Sequence, residues 1–302
     1  MEWIKGISPI VFPGLGLKIN PPAGLTIGSL SFNFYGLIIA VGLMLAVIYA
    51  WRRSPRFGIK PDDITDGVLC VAPVAIIFAR IYYCVFNWKA GGYAENPISV
   101  LYIWEGGIAI YGSVIGAVLA TIVYCWYKEI KLTAMLDLVA LGFLIGQFVG
   151  RWGNFFNREA FGYETDSFLR MGLYLTEDGN LSNTMFYYHP TFLYESLWNM
   201  AGFALLHFLS KRRQYDGQVA LGYVVWYGLG RTFIEGLRTD SLYWGQIRVS
   251  QALAAGSVII AAAVMVILAW RSHDPAKLYV NRIPEEEPEE AEEEPEESAE
   301  QE

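Results

Sequence analysis

Apolar and polar positions in this chain alternate on the scale of whole helices. Seven runs of mostly apolar residues, near 32–51, 64–87, 107–127, 133–154, 190–209, 217–236 and 248–270, are separated by polar stretches. A helix of about 20 residues crosses a hydrocarbon layer of about 30 Å. The pattern therefore predicts an all-α, polytopic membrane protein with about seven transmembrane helices over 32–271. Residues 1–31 form an N-terminal extracytoplasmic segment, in which scattered Pro and Gly leave no clean apolar core of the kind a cleavable leader needs. Residues 156–188 make much the longest internal loop, expected to build a small extracytoplasmic head, and residues 272–302 form a cytoplasmic tail.

Composition agrees with the pattern: 54% of the 302 residues are hydrophobic and 15% aromatic, a bias toward membrane proteins. The net charge of −8 misleads, because residues 285–302 hold twelve Glu and no base. That tail repels itself and has no apolar residues to bury, so it is expected to be disordered. The rest carries 22 Lys and Arg against 18 acids, a net of +4, and nothing in it points to nucleic acid. Twelve bases fall on one side of the spans, among them Arg52, Arg53, Arg56, Lys60, Lys128, Lys131, Arg212 and Arg213, against seven on the other. The richer side is expected to be cytoplasmic, which puts the N-terminus outside. Cys70, Cys84 and Cys125 lie in apolar runs without a CxxC spacing, and with His189, His207 and His273 the only histidines, no metal site or other cofactor is expected.

The candidate chemistry centres on 142–162. Gly142, Gly146 and Gly150 share a helix face that lets a neighbouring helix approach closely in lipid, and the next turns carry Arg151, Asn154, Asn157 and Glu159. Arg151 could simply snorkel to the interface, but an Arg with two Asn and a Glu between glycines is costly at membrane depth unless it serves a partner. Tyr227, Arg231, Glu235 and Arg238 are spaced four, four and three apart and line one helix face, where Arg231 and Glu235 can pair. His189-Pro-Thr-Phe-Leu-Tyr-Glu195 reads as a helix start; capping accounts for Thr191 but poorly for a buried Glu195. Tyr35 and Tyr111 sit where interfacial anchors are common, while Asp66, Arg80 and Asp137 read as structural pairs or anchors. Three arginines from two helices at headgroup level fit a phosphate, for which guanidinium offers planar, bidentate donors.

Four blocks, in order, resemble those of the bacterial prolipoprotein diacylglyceryl transferases. They are Gly106-Gly-Ile-Ala-Ile-Tyr-Gly112, Gly150-Arg-Trp-Gly-Asn-Phe-Phe-Asn-Arg-Glu159, His189 to Glu195, and Tyr227-Gly-Leu-Gly-Arg-Thr-Phe-Ile-Glu-Gly-Leu-Arg238. The resemblance covers about 28–270. It implies a bacterial inner-membrane enzyme that transfers the diacylglyceryl group of phosphatidylglycerol to the lipobox cysteine of a prolipoprotein, just after its signal peptide, and releases glycerol phosphate. It also implies that Arg151 and Arg231 are essential, that Asn154, Glu159, Tyr35 and Tyr227 matter, and that Glu235 and Arg238 support them. The family often has a histidine where this chain has Tyr111. A free tyrosine, with a pKa near 10, is a poor base at neutral pH. Tyr111 could be tuned by neighbouring arginines, His189 or Glu235 could take the thiol proton, or the thiol could be partly ionised beside the arginines without a dedicated base, the preferred option. A transporter or flippase for an anionic phospholipid is the alternative; it calls for inverted repeats, which the sequence does not display.

Overall fold

The computed structural model describes residues 2–4, 8–28, 30–103, 106–177, 180–239, 243–244, 247–271 and 273–281. The acidic run from 285 onward lies outside the described residues, as does Glu105. The protein is mostly helical. Its long helices are α1 (Phe34–Arg53), α2 (Pro61–Phe86), α3 (Ile110–Tyr127), α4 (Leu132–Asn157), α5 (Thr191–Leu209), α6 (Gln218–Glu235) and α7 (Val249–Ala269), each within about three residues of its expected run. Local signals set their ends. Pro61 with Asp62 and Asp63 opens α2, a proline whose missing N–H costs nothing there and acids that suit the positive helix end. Arg158, at φ +55°, closes α4 in the left-handed conformation.

Five of the helices, α1 to α4 and α7, are long and apolar enough to cross a membrane. The other two, α5 and α6, fall short because they carry polar and charged side chains, among them Glu195, Asn199, Arg231 and Glu235, which lower their mean hydropathy. α4 is the central helix: half of its apolar window is buried, against about a tenth for α1 and α7. It packs on α1, α5 and α6, while α2 pairs mainly with α3 and α7 with α6. The glycine face of α4 receives α1, since a Cβ at Gly150 would lie 3.1 Å from Ile39 Cδ1 and one at Gly142 3.7 Å from Ala46 Cβ.

The connections depart from the all-α expectation. Strands β1 (Glu2–Ile4), β4 (Gly24–Ile27) and β5 (Leu30–Asn33) make one sheet. A second runs in the order β3 (Leu17–Ile19), β2 (Ile10–Phe12), β6 (Met171–Glu177), β7 (Asn180–Tyr188). A two-stranded ribbon, β8 (Tyr243–Trp244) with β9 (Ile247–Arg248), leads into α7. All three lie between helix termini at one end of the bundle. The N-terminal segment is therefore not separate from the 156–188 loop; Val11 pairs with Gly172 in one antiparallel sheet. Ile10, Phe12, Met171, Leu173 and Tyr188 bury against Phe155 of α4 and Phe192 of α5, so this cap is fixed to the two helices by apolar area. Arg158 ties the same joint, its guanidinium donating to the carbonyls of Ser8 and Pro21, both at 2.7 Å, and of Phe156 at 2.8 Å.

Candidate functional site

The last turns of α4 and α6 and the first turns of α5 meet under this cap, and their charged residues converge. Glu195, on α5, is 4% exposed and sits among three guanidiniums. Arg151 of α4 forms a close ion pair with it, Arg231 of α6 approaches at 3.3 Å and Arg238, just past α6, at 3.5 Å. Arg231 also holds Glu235, one turn on, at 2.6 Å. Glu235 is 2% exposed, and its main-chain carbonyl accepts from Arg248. Arg151 reaches Asn154 at 3.3 Å, which donates to Glu159 at 2.9 Å. The expected row of Arg231, Glu235 and Arg238 and the expected Arg151, Asn154 and Glu159 set are thus brought to one place.

Among the described residues, three arginines contact two buried carboxylates here. Buried ions are tolerated when paired, and guanidiniums gathered from separate segments can also receive an anion. The backbone around it is braced. Gly162 N donates to His189 O at 2.9 Å and Tyr163 N to Leu237 O at 2.8 Å, so the stretch after α4 is held to the residues beside Glu195 and Arg238. Thr191, fully buried, bonds the Ala160 carbonyl. Between α5 and α6, Trp198 and Trp226 stack with centroids 4.5 Å apart, and each indole N–H donates to the other's carbonyl at 2.9 Å. That reciprocal clasp sets the register of Glu195 against Arg231.

The tyrosines separate into two groups. Tyr35 packs its ring against α4 where a Cβ at Gly153 would come within 2.9 Å, next to Asn154. Tyr227 stacks on Tyr223 at 5.6 Å, one turn below Arg231, and Tyr223 accepts from Gln147, one turn below Arg151. Tyr111 does not join them. It is half-exposed on α3, with Tyr82 of α2 as its aromatic neighbour at 6.4 Å, and among the described residues no contact links it to Glu195 or to the arginines. His189 lies at the mouth of α5, 3.3 Å from the Tyr194 hydroxyl. Burial holds its imidazole below the usual value of 6.5, which favours the neutral ring, and among the described residues no contact links it to the ion cluster.

Arg80 and Asp137 are structural, as their positions imply. Arg80 donates to the carbonyls of Ser99, Val100, Gly106 and Gly107 at 2.7 to 2.9 Å and so shapes the approach to α3. Asp137 accepts from Gly217 N and Ala220 N, both at 2.8 Å, and caps α6 from α4. The sequence does not reveal that Glu195 is the hub. Its only signal there is an acid in an apolar helix, one turn after Thr191.

A protein-family model described as prolipoprotein diacylglyceryl transferase matches residues 22–268. A protein of Listeria welshimeri, named phosphatidylglycerol–prolipoprotein diacylglyceryl transferase, is 41% identical over 266 residues, covering 87% of this chain and 95% of its own. Proteins of the same name from Limosilactobacillus reuteri and Lactiplantibacillus plantarum are 42% and 44% identical. They cover 89% and 83% of this chain, and 98% and 89% of their own.

Proposed function

The chain belongs to the prolipoprotein diacylglyceryl transferase family, and on that premise we propose how its charged cluster serves the reaction. The protein is a transferase that moves the diacylglyceryl group of phosphatidylglycerol to a prolipoprotein thiol. Arg151 and Arg231 hold the lipid phosphate, with Arg238 behind them. Asn154 and Glu159 orient Arg151, Glu235 orients Arg231, and Tyr35, Tyr227 and His189 line the approach. The lipobox cysteine sulfur attacks C3 of the diacylglycerol, and the C3–O bond to phosphate breaks with its electron pair left on the departing glycerol phosphate. Charge grows on that oxygen in the transition state, where fixed guanidiniums in a site with little water act most strongly. Alignment of two substrates confined by the membrane supplies much of the rest.

The observation that carries this reading is the convergence of three arginines from two helical segments on one buried carboxylate. All seven helices span the cytoplasmic membrane in this reading; the polar groups of α5 and α6 find their partners inside the bundle. The N-terminus faces outward, the C-terminus is cytoplasmic, and the cluster lies at the outer headgroup level, where phosphatidylglycerol and a translocated signal peptide can both reach it. The test uses membranes carrying the protein, phosphatidylglycerol and a lipobox peptide, and reads the mass gain on cysteine. Arg151→Ala and Arg231→Ala should each lower transfer by at least about 100-fold while the protein remains inserted; full activity in either overturns the assignment.

A further inference from the structure

The geometry points to Glu195 as the group that takes the proton from the substrate thiol, after the lipid phosphate has drawn its arginines away. This inference rests on the phosphate-holding reading above. Before substrate arrives, Glu195 occupies the place an anionic ligand would take: it faces Arg151 from α4, Arg231 from α6 and Arg238 from the turn beyond. A phosphodiester meeting those guanidiniums does so at the expense of Glu195. The carboxylate is 4% exposed, so losing its counter-charges leaves an ion that water cannot reach, and a buried ion in that state relaxes by binding a proton. The thiol brought beside it has one to give.

The change in charge on transfer supports the same assignment. Transfer converts the singly charged phosphodiester into a doubly charged monoester, so the site gains one negative charge. A proton taken up by Glu195 removes one at the same moment. The S–H bond breaks toward Glu195, the S–C3 bond forms, and the C3–O pair leaves with glycerol phosphate. When the product departs, the proton passes to it or to water and the arginines return to Glu195. Glu235 is worse placed for this role, because Arg231 sits one turn away on its own helix at 2.6 Å and stays with it. Tyr111 and His189 lack contact with the cluster among the described residues.

The discriminating measurement compares two nucleophiles on wild type and Glu195→Gln: a lipobox peptide with cysteine and the same peptide with selenocysteine, whose selenol is already ionised at neutral pH. A lost general base costs about 100- to 10,000-fold. The Glu195→Gln variant should therefore lose at least about 100-fold in kcat/KM with the thiol and less than about 10-fold with the selenol. Equal losses with both peptides, or no loss with either, overturn the assignment. Glu195→Asp, which keeps the carboxylate but shortens it, should fall between the two for the thiol and match wild type for the selenol; equal impairment with both peptides counts against the proposal. Phosphatidylglycerol binding, measured in parallel, separates the two readings. Retained or tighter lipid binding in Glu195→Gln keeps the phosphate site whatever the peptides show, whereas lipid binding that is indifferent to Arg151→Ala removes the phosphate site itself.

Discussion

Two buried clusters of charge stand at opposite ends of α4, and they are built on opposite rules. At the end near the α5–α6 connection, every carboxylate has a structural duty. Asp137 caps α6 through two backbone N–H groups, and Asp216 binds Lys131 and the Tyr279 N–H, both at 2.9 Å, with Arg213 at 3.7 Å. Two acids meet two bases and two helices are joined. At the capped end three arginines crowd two acids, and the contacts to Glu195 from Arg231 and Arg238 are long for charged hydrogen bonds. Balanced charge with backbone donors holds helices in place. A carboxylate shared among three guanidiniums at poorly matched distances is held ready for something else.

The sharpest way to break the contrast is to remove Arg231. Arg231→Ala should cost transfer at least about 100-fold per folded molecule, and because it leaves Glu235 buried without its guanidinium it should also destabilise the fold by about 3 kcal/mol in detergent. At the other end only stability should suffer. Asp137→Ala leaves two helix N–H groups without their acceptor and should destabilise the fold by roughly 2 kcal/mol, read by thermal unfolding, with transfer per folded molecule unchanged. Arg151→Lys keeps the charge but loses the fork and should lower transfer about 10-fold, more than point charge alone explains. A smaller effect is expected from Tyr111→Phe, within about 3-fold in the same assay, since the hydroxyl has no contact with the cluster among the described residues. The smallest concerns pH. Burial holds His189 below 6.5 in the folded protein, so the unfolded chain binds more protons between the folded value and 6.5. Stability should therefore be full above pH 6.5 and decline as pH falls through that window. His189→Gln should flatten the decline in pH-dependent unfolding.

Much of this contrast was legible in the sequence, and its limits have physical causes. The helices announce themselves because lipid requires long apolar runs, and the Tyr227, Arg231, Glu235, Arg238 row follows from a period of 3.6 residues. Asp137 reads correctly as structural because it is a lone acid in a long apolar run. Convergence is another matter: spacing places Arg151 and Arg231 at matching levels but cannot say that α5 stands between them with Glu195, since that depends on the Trp198–Trp226 clasp. The β cap is hidden for a different reason. Its strands are three to nine residues long, and β2 joins β6 through Val11 and Gly172, so no local period records the joint. Arg158 looks like part of the signature cluster, yet its guanidinium serves main-chain carbonyls.

That long-range pairing bears on how the protein is made. Strand β2 leaves the ribosome before any helix, but its neighbour β6 follows α4, and Arg158 reaches back 150 residues to Ser8. The beginning of the chain must therefore wait until α4 and the strand after it have been made. Closing so long a loop is entropically slow, so the cap forms only once the chain beyond α4 has been made. A nascent chain stalled after α3 would have neither Arg151 nor the cap, and one stalled after α4 would still lack Glu195, Arg231 and Arg238.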